Sequence, residues 1–484
     1  MDKLVFFANS VPWNMHTHHS EYLADSFQKK GYKTKSYSCG GGQNYCYQKL
    51  INRRPLECLL CKLRSLNKSN KFSEKTNYYP INIIDTESLI TDTPIISSVG
   101  SALRLENDND IGELKYDNLK NNVKKEFLGL LKYWEDELKK FRPELFVIFN
   151  GRFHDTAAIV EACIKTDTKF ICHERSWFGT GIYISFFENC ISLENKKKML
   201  HCHIDKPLNH SQCKRAYSQI MKRFRGTNNF EWRKYGQKLN LSSSGTWPIE
   251  TKRKKILLMP SSRSEFFGND SFKLNSENSI QAYSKVINKY FSKNSSIVVR
   301  AHPGWNRKIG HFKKSKSYDV YKRWAQENNF YFIEPESNFS SYELMKKSDY
   351  VIMNGGSSVV EANVLGCNVI TVSPSLYSDL PIVTDMSKDS FMREKIPVID
   401  KKLQFIYSLR YLHYLSFDMP FFYNSILPKS PKSNDFVYDK TYQISEIDRI
   451  MKTLDSVKKI KLVKKFNYKL SECEEAFYKE VSNK

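Results

Sequence analysis

Alternating strand-like and helix-like segments predict an α/β protein built on parallel, doubly wound sheets. Apolar runs rich in β-branched and aromatic residues occupy 297–301, 330–333 and 350–354, and each stops at residues that favour turns. Helix-forming segments separate these runs, and another strand is expected at 369–372, after Gly366. Strands separated by helices lie parallel in one sheet, and ligands of such sheets bind beyond the carboxyl ends of the strands.

The first part of the chain repeats this alternation and predicts a second domain of the same class. Its expected elements are a strand at 4–8, helix 21–30, strand 33–37, helix 119–141, strand 145–149, helix 156–165 and strand 170–172. Gly31 and Pro143 stand where two of these helices should end. The predicted organisation is an N-terminal domain over 1–245, a second domain over 250–400 and a helical segment over 401–484.

Residues suited to binding an anion follow two strands of the second domain. His302 and Pro303 come directly after the first strand. The third strand runs into a turn of two glycines and two serines, called the glycine-serine turn below: Gly355, Gly356, Ser357 and Ser358. Glycines allow close backbone approach, and a helix start offers free N–H groups, so the pattern favours a phosphate. The alternative is a capping box, in which Ser358 and Glu361 only satisfy the helix start.

The residues between 255 and 372 carry a resemblance to a known group of proteins. Arg300-Ala-His302-Pro303, then Glu334-Pro335, then the glycine-serine turn and Glu361 look like the donor half of GT-B glycosyltransferases. The segment resembles most closely the bacterial capsule polysaccharide biosynthesis proteins and the Kdo and sialic acid transferases with paired His-Pro and Ser-Ser motifs. That resemblance implies two Rossmann-like domains facing a cleft, with C-terminal helices crossing back onto the first.

The resemblance also implies roles for individual residues. In those families the histidine and serines hold the phosphate of a CMP-sugar, a role carried over here to His302, Ser357 and Ser358. The wider set expected to bind the nucleotide or donor is Arg263, Arg300, His302, Glu334, Gly355, Gly356, Ser357, Ser358 and Glu361. Donor halves of this fold also bind UDP- and GDP-sugars, so CMP is the preferred and not the sole expectation.

Polar and ionisable residues also follow two strands of the N-terminal domain. Arg152, His154 and Asp155 come after the strand at 145–149, and Glu174 comes after the strand at 170–172. Transfer of a sugar to a hydroxyl needs a general base. Glu174 is the preferred candidate, with His154 and Asp155 behind it, while Arg152 is expected on the acceptor side. The structural alternative pairs Glu174 with an arginine and makes His154 a helix cap.

Three histidines stand near the start of the chain, in a polar loop expected to precede the first helix. His16 and His18, with His19 beside them, are predicted at the loop-to-helix junction, facing the cleft as acceptor contacts. Simple loop polarity and metal binding remain alternatives. No carboxylate or further histidine is placed obviously as a partner, so no metal ligand is assigned.

Eleven cysteines are scattered through the chain, which does not suggest a disulfide framework. Cys58 and Cys61 have the spacing of half a zinc site, with Cys46 or His201-Cys202-His203 as candidates to complete it, but packed thiols are the preferred interpretation. Residues 108–110, Asp-Asn-Asp, imitate the Asp-x-Asp metal motif of the other large glycosyltransferase fold. They follow no buried strand, so a solvated turn is expected.

Composition bounds the partners of this protein. The chain has 484 residues, 40% of them hydrophobic, and a formal net charge of +24. Such a charge favours an anionic substrate first, then an anionic membrane surface, and nucleic acid last, because no compact arginine-aromatic motif is present. No long apolar run or signal peptide is seen, so a cytoplasmic protein is expected, with peripheral contact at the inner face of the cytoplasmic membrane as a further hypothesis.

One candidate for such a contact lies near the end of the chain. A helix is expected across 456–466, with Val457, Ile460, Val463 and Phe466 on one face and lysines over the rest. The preferred interpretation is a helix packed on the core. The alternative is contact with anionic lipid near a lipid-linked acceptor.

These observations predict a glycosyltransferase that moves a sugar from a nucleotide-sugar, preferably CMP-linked, to a capsular or surface glycan or glycolipid. No cofactor beyond the donor is expected, and transfer by inversion without a metal is implied by the resemblance. Two other hypotheses remain. One is a CDP-polyol phosphotransferase of the teichoic-acid type, and the other is a noncatalytic protein that binds polyanions or membranes through its charge.

Overall fold

The computed structural model describes residues 3–9, 14–66, 72–81, 92–227, 247–291, 295–429, 436–462, 466 and 468–482. Within them the chain forms two six-stranded sheets, each with helices on both faces, and a C-terminal segment that packs against both. The expected α/β class with two Rossmann-like domains is therefore confirmed.

The first domain contains strands β1 to β6 and helices α1 to α8. The strands are β1 Leu4–Ala8, β2 Lys33–Cys39, β3 Glu74–Tyr78, β4 Leu145–Phe149, β5 Phe170–Arg175 and β6 Ile182–Phe186. The helices are α1 Asn14–Lys29, α2 Tyr47–Asn52, α3 Glu57–Leu66, α4 Thr93–Ala102, α5 Asp117–Phe141, α6 His154–Lys165, α7 Leu193–Ile204 and α8 His210–Phe224. Four β-branched or aromatic residues of β4 are fully buried, as expected for a central parallel strand.

The second domain contains strands β7 to β12 and helices α9 to α12. The strands are β7 Lys255–Met259, β8 Ser296–Arg300, β9 Tyr331–Ile333, β10 Tyr350–Met353, β11 Asn368–Thr371 and β12 Thr384–Asp385. The helices are α9 Ser279–Tyr290, α10 Lys316–Glu327, α11 Ser341–Lys347 and α12 Ser358–Val364. Each strand expected from the sequence in this domain is present to within two residues.

The two sheets have the same strand order. The first is arranged β3-β2-β1-β4-β5-β6 and the second β12-β11-β10-β7-β8-β9, which is the same 3-2-1-4-5-6 order listed from the other edge. All neighbours are parallel except β5 and β6. In each sheet the chain reverses its direction of winding between the first and the fourth strand. That switch point, beyond the carboxyl ends of the strands, is where doubly wound proteins bind ligands.

The C-terminal segment returns to the first domain. It comprises α13 Lys401–His413, a π-helical turn Tyr414–Asp418, β13 Ile426–Pro428, β14 Phe436–Tyr438, α14 Gln443–Val457 and α15 Glu472–Ser482. Ile447, Ile450 and Leu454 of α14 share a core with Val5 and Phe7 of β1. The segment therefore fastens the end of the chain to its start, as the GT-B resemblance implied.

Three local expectations were wrong. Helix α1 begins at Asn14 and not in the region of residue 21. The buried positions His16, His19, Ser20 and Leu23 follow a helical period, but histidine and serine hid that period when only apolar residues were counted. The histidines therefore lie on a helix and not in a loop.

The second wrong expectation concerns β5, which runs to Arg175 and not only to residue 172. Its polar end pairs antiparallel with β6, where Glu174 stands opposite Tyr183. The strand β6 had no counterpart in the sequence prediction. A neighbouring strand supplies hydrogen bonds that let polar residues continue a strand, and such a partner is invisible to local pattern.

The third wrong expectation concerns the tail. Helix α14 ends at Val457, and 460–462 are not helical. Residues 463–465 lie outside the described part of the chain. The single amphipathic helix expected across 456–466 is therefore not formed over its described part. Residues 10–13, in the loop expected before the first helix, also lie outside the described residues.

Candidate functional site

At the switch point of the second domain, one asparagine joins two loops by hydrogen bonds. Asn354 follows β10, and its side chain makes three hydrogen bonds to Ser261, which lies in the loop after β7. Its Oδ1 accepts from the Ser261 amide at 2.7 Å and from the hydroxyl at 3.0 Å, and its Nδ2 donates to the Ser261 carbonyl at 2.9 Å. Two loops at the carboxyl edge are thereby held in register.

The glycine-serine turn begins immediately after this clip. Gly355 and Gly356 have φ angles of +112° and +101°, which side-chain-bearing residues rarely adopt. A methyl group built on Gly356 would meet no atom within 4 Å, so the space in front of it is open. The hydroxyl of Tyr377 donates to the Gly356 carbonyl at 3.2 Å and holds the turn from behind.

Ser357 and Ser358 lie at the start of α12, and both are half-buried. Ser357 is the residue that caps α12, but its side chain makes no capping hydrogen bond. Glu361 accepts a hydrogen bond from Arg223 of α8 at 2.7 Å, and both side chains are buried. The capping box considered from the sequence is therefore not formed. Helix α12 has only seven residues, so the turn's amides and hydroxyls are better anion donors than its dipole.

His302 follows β8, on the other side of β7 from the glycine-serine turn. Its Nδ1 accepts a hydrogen bond from the Gly304 amide at 3.0 Å. A neutral imidazole that accepts at Nδ1 carries its proton on Nε2, so the outer nitrogen is a donor. The ring is half-buried.

Two expected donor contacts have other partners. The buried guanidinium of Arg300 donates to the main-chain carbonyls of Glu334 and Ser337 and so fastens the loop after β9. The carboxylate of Glu334 accepts from Lys322 at 2.6 Å and from Tyr318 at 2.9 Å. Both residues stabilise the region behind His302.

Arg263 stands where the two domains meet. Its Nη2 donates to the Phe272 carbonyl at 2.9 Å, and its amide lies 3.4 Å from Oε2 of Glu106, a residue of the first domain. The hydroxyl of Ser317 also donates to this oxygen, at 2.6 Å. Burial raises the pKa of Glu106 to about 7. The first domain therefore places a buried carboxyl against the loops after β7 and before α10.

The carboxyl edge of the first sheet gathers ionisable side chains around Glu174. Its Oε2 accepts from Nδ2 of Asn150 at 2.8 Å, and its Oε1 lies 3.5 Å from Nε2 of His16. The His16 ring packs on Phe149 with ring centres 4.1 Å apart. The Glu174 side chain is 20% exposed. The carboxylate is thus positioned on two sides and open on another.

Charges around this carboxylate set its protonation. Burial alone would raise the pKa of Glu174, but His16, Arg175 and the hydrogen bond from Asn150 outweigh it and hold the pKa below its ordinary value. Burial lowers the pKa of His16 to about 4. At neutral pH the pair is therefore an ionised carboxylate beside a neutral imidazole, and Glu174 is able to accept a proton.

The other two histidines of α1 differ in position: the His19 ring lies 6.2 Å from that of His16, whereas His18 points to another face of the helix. Residues two apart on a helix do not share a face, and His18 lies near the ring of Tyr438 in β14, 6.4 Å between ring centres. His19 and His173 are buried, and His173 lies 3.2 Å from the Ser20 hydroxyl. Of the two histidines expected on the acceptor side, the structure brings His16 to Glu174 and places His18 against the C-terminal hairpin.

Arg152 connects this edge to the other domain. Its Nη1 donates to the hydroxyl of Ser101 at 2.6 Å, and that hydroxyl donates to the carbonyl of Ser264 at 2.6 Å. Burial lowers the pKa of Arg152, while Glu265 and Glu174 act to raise it. Arg152 therefore joins the carboxyl edge of the first sheet to the loop that follows β7.

His154 and Asp155 lie in the interior. His154 is completely buried, with Nε2 3.4 Å from Oε2 of Glu126 in α5. Asp155 accepts from the amide of Thr156 at 2.9 Å, and burial raises its pKa. Its carboxyl faces a cavity next to α3. The structure therefore separates these two residues from Glu174.

Cys58 and Cys61 line the same cavity. It is lined by four thiols and several polar groups: Cys39, Cys46, Cys58, Cys61, Gln43, Glu57 and Asp155. Within the described residues, no group of three or more histidine, cysteine or carboxylate side chains is arranged to hold a metal ion.

Residues 108–112, which include the Asp-Asn-Asp sequence, form a short 3-10 turn, in which the Asp110 carboxylate accepts from the main-chain amide of Asn107.

One functional candidate was missed by sequence reasoning. Lys196 of α7 is buried, and its ammonium lies 4.0 Å from the ring centre of Trp177 and 5.4 Å from that of Tyr183. Burial lowers the pKa of Lys196 to about 7, and Glu174 and Glu265 oppose the shift. A signal was present, because Leu193 and Leu200 place residue 196 on the apolar face of the helix. Glu106 had no comparable local signal.

No family model matches the chain, and no curated protein matches it. Among solved structures it is similar to two transferases from Thermosulfurimonas dismutans KpsC. The beta Kdo 2,7 transferase is 12% identical with a TM-score of 0.37, over 67% of this chain and 89% of that chain. The beta Kdo 2,4 transferase is 10% identical with a TM-score of 0.36, over 64% and 87%.

A UDP-GlcNAc 2-epimerase from Neisseria meningitidis is 11% identical with a TM-score of 0.24, over 100% of both chains. The strand order of the two sheets defines a GT-B-like pair of Rossmann-like domains, and Kdo transferases are among the solved structures to which the chain is similar.

Proposed function

We propose that this protein is a glycosyltransferase that moves a sugar from a nucleotide-sugar to a hydroxyl group of a glycan or glycolipid. The single observation that carries the proposal is the pairing of two equivalent strand edges with complementary chemistry. The edge around Asn354 offers anion donors, and the edge around Asn150 offers an ionised carboxylate. Sugar transfer needs both, because the leaving phosphate gains negative charge while the attacking hydroxyl loses a proton.

On the donor side, the leaving phosphate meets Nε2 of His302 and the hydroxyls and amides of the glycine-serine turn. The strand ends that carry them are separated by β7, so they lie two strand spacings apart, roughly 10 Å. That separation suits a sugar-phosphate contacted from two sides. One imidazole, two hydroxyls and several amides are enough donors for a single phosphate, which supports CMP as the leaving group and transfer without a metal ion.

On the acceptor side, Glu174 takes the proton from the attacking hydroxyl. Asn150 and His16 hold its carboxylate from two directions, and the exposed part faces the acceptor. Attack from the side opposite the leaving phosphate inverts the configuration at the anomeric carbon. Arg152, two residues after Asn150, adds positive charge on this side and suits an acceptor with an acidic group nearby, while Lys196, whose pKa burial lowers to about 7, is only partly charged at neutral pH.

A donor screen tests this proposal. Purified protein is heated with CMP-, CDP-, UDP- and GDP-linked donors, and the expected result is a rise in melting temperature with one nucleotide class, largest for CMP. Product mass then identifies the transferred group. Transfer of a phosphoryl-polyol would establish the phosphotransferase instead. The absence of stabilisation by any nucleotide, with salt-sensitive binding of polyanions, would establish a noncatalytic protein.

A further inference from the structure

Three leucines, one just before helix α3 and two within it, are exposed on the outside of the protein. Leu56, which immediately precedes the helix, is 63% exposed, and Leu59 and Leu63 are 52% and 51% exposed. Spacings of three and four residues place these side chains on one face of the helix. The opposite face, with Cys58 and Cys61, lines the internal cavity. The usual polarity of a surface helix is therefore reversed.

Single exposed leucines are common on protein surfaces, but a contiguous group on one helix face marks an interaction surface. The surface defined by Leu56, Leu59 and Leu63 is called the leucine face here. Among the described residues no element covers it, since half or more of each side chain is accessible. A partner of matching chemistry has to be apolar at this surface.

The residues around the leucine face identify that partner by their charge. Arg53 and Arg54 precede it and are exposed, and Lys62, which also lines the cavity, is exposed as well. Over 47–63 the one acidic residue is Glu57, which is buried and turned toward the cavity. The outward surface of this segment is thus apolar at its centre and cationic around it, which is the pattern of helices that lie on anionic bilayers.

The second domain extends the cationic border. The loop over 307–313 is joined to α2, because His311 donates from its amide to the Ile51 carbonyl at 2.9 Å. Lys308 and Lys313 of this loop are exposed. Exposed cations of the second domain therefore lie on a loop attached to α2, the helix that precedes the leucine face, and an anionic lipid surface suits these cations together with Arg53 and Arg54.

The leucine face also lies at the same edge of the first sheet as Asn150 and Glu174. Cys39 at the carboxyl end of β2 lines the cavity behind α3, so the helix lies at the carboxyl edge of the first sheet. Asn150 and Glu174 lie at that same edge. We propose that the leucine face docks the protein on an anionic lipid bilayer. Its role in presenting a membrane-linked acceptor to Glu174 rests on the proposed function, whereas the docking itself does not.

Vesicle cosedimentation tests the docking. The parent protein is mixed with phosphatidylcholine vesicles with or without 30% phosphatidylglycerol, a composition of roughly the anionic content that attracts polybasic surfaces. We expect binding to the anionic vesicles. Substitution of Leu56→Gln, Leu59→Gln and Leu63→Gln together should lower the partition coefficient by about a hundredfold, because three partly inserted side chains lose their apolar contact.

A matched variant controls for general surface polarity. Leu114, Ile164 and Val398 are 86%, 59% and 89% exposed and lie outside the leucine face. Changing these three residues to glutamine should leave binding unchanged. The pair Arg53→Gln and Arg54→Gln should lower binding to anionic vesicles by roughly fivefold per charge at low salt, and leave weak binding to neutral vesicles unchanged.

Three results would overturn the docking proposal. The triple leucine variant sediments with vesicles like the parent, or it melts several degrees lower, which makes the leucines part of the core. Alternatively, the parent is a dimer by sedimentation velocity and the variant a monomer, which makes a second copy the partner. The donor-dependent melting shift uses no vesicles, so failure of the docking and failure of the glycosyltransferase proposal are distinguishable.

Discussion

The two domains place the same dipeptide at the same point of the same topology and use it differently. Asn150-Gly151 follows β4 and Asn354-Gly355 follows β10, the fourth strand of each sheet, and both glycines have positive φ. Asn150 directs its amide to the carboxylate of Glu174. Asn354 uses its amide and its oxygen to clip Ser261. One side chain positions a titratable group, and the other positions the backbone.

This difference extends to everything around the two asparagines. Near Asn150 the neighbours are buried ionisable groups whose protonation depends on one another, as with His16 and Glu174. Near Asn354 they are glycines, serines and a tyrosine that hold an open turn. The shared topology determines where a ligand binds, while the side chains at each edge determine what chemistry is available. The comparison predicts that substitutions near Asn150 change turnover in a pH-dependent way. Substitutions near Asn354 should lower turnover equally at every pH.

The largest effect is expected from Glu174→Gln. Loss of a general base typically lowers turnover by about a hundredfold to ten-thousandfold, and glutamine keeps the hydrogen bond to Asn150. Turnover is measured with saturating donor, and Glu327→Gln, a change at an exposed carboxylate, is the control. If the Glu174→Gln variant turned over as fast as the parent protein, Glu174 would not be the general base.

The pH profile sharpens this prediction. The folded pKa of Glu174 is below its ordinary value, so its base form is present above that depressed pKa and is lost as the pH falls through it. The acid limb of kcat/KM should therefore lie below the range of about 4.3 that is usual for glutamate. Asn150→Gly removes one stabilising hydrogen bond while accepting the φ of 59°, and should move this limb upward. If the acid limb of the kcat/KM profile does not move, another group and not Glu174 is responsible for that limb.

The next largest effect is expected from His302→Ala. Removing one donor to the leaving phosphate costs about 3 kcal/mol, or roughly a hundredfold in turnover, and the change should be the same across pH. His302→Asn keeps an acceptor for the Gly304 amide but lacks the outer donor, whereas His302→Gln can restore that donor. We expect partial rescue by glutamine alone. Normal turnover with a melting temperature several degrees lower would make His302 a structural residue.

A smaller effect is expected from Glu361→Gln, which tests the contact between the domains. Its ion pair with Arg223 is buried, and a hydrogen bond involving a charged partner is worth about 1.5–3 kcal/mol. The change should lower the free energy of unfolding by about 2 kcal/mol and leave the Michaelis constant for the donor nearly unchanged. Chemical denaturation and initial-rate kinetics measure the two quantities. A large rise in that constant without loss of stability would instead identify Glu361 as a ribose contact.

The smallest effect is expected from Ser357→Ala. The hydroxyl is one of several donors at the glycine-serine turn, and its neighbours' amides remain after the change. We expect turnover to fall by about threefold to tenfold, less than for His302→Ala, because each remaining donor still stabilises the phosphate. Steady-state kinetics of the single and double variants measure this. A loss larger than that of His302→Ala would place the main phosphate contact at the serine.

Much of the donor half was predictable because its signals are local. The apolar residues of β8 and β10 identify buried strands by themselves, and glycines such as Gly355 announce positive φ because few other residues tolerate it. The order of strands and helices was enough to predict doubly wound sheets. Glu174 was selected from its place after an apolar run, which is also a local property.

The partners of these residues were decided by the tertiary structure. Glu361 has the sequence of a helix cap, yet it pairs with Arg223, which lies 138 positions away. Arg300 stands beside the His-Pro motif, yet its guanidinium binds main-chain carbonyls of the next loop. The amino-acid sequence determined the strands, turns and switch points, since propensity and periodicity act between near neighbours. Only the folded chain decided which charges meet, because those contacts depend on long-range packing that no local pattern contains.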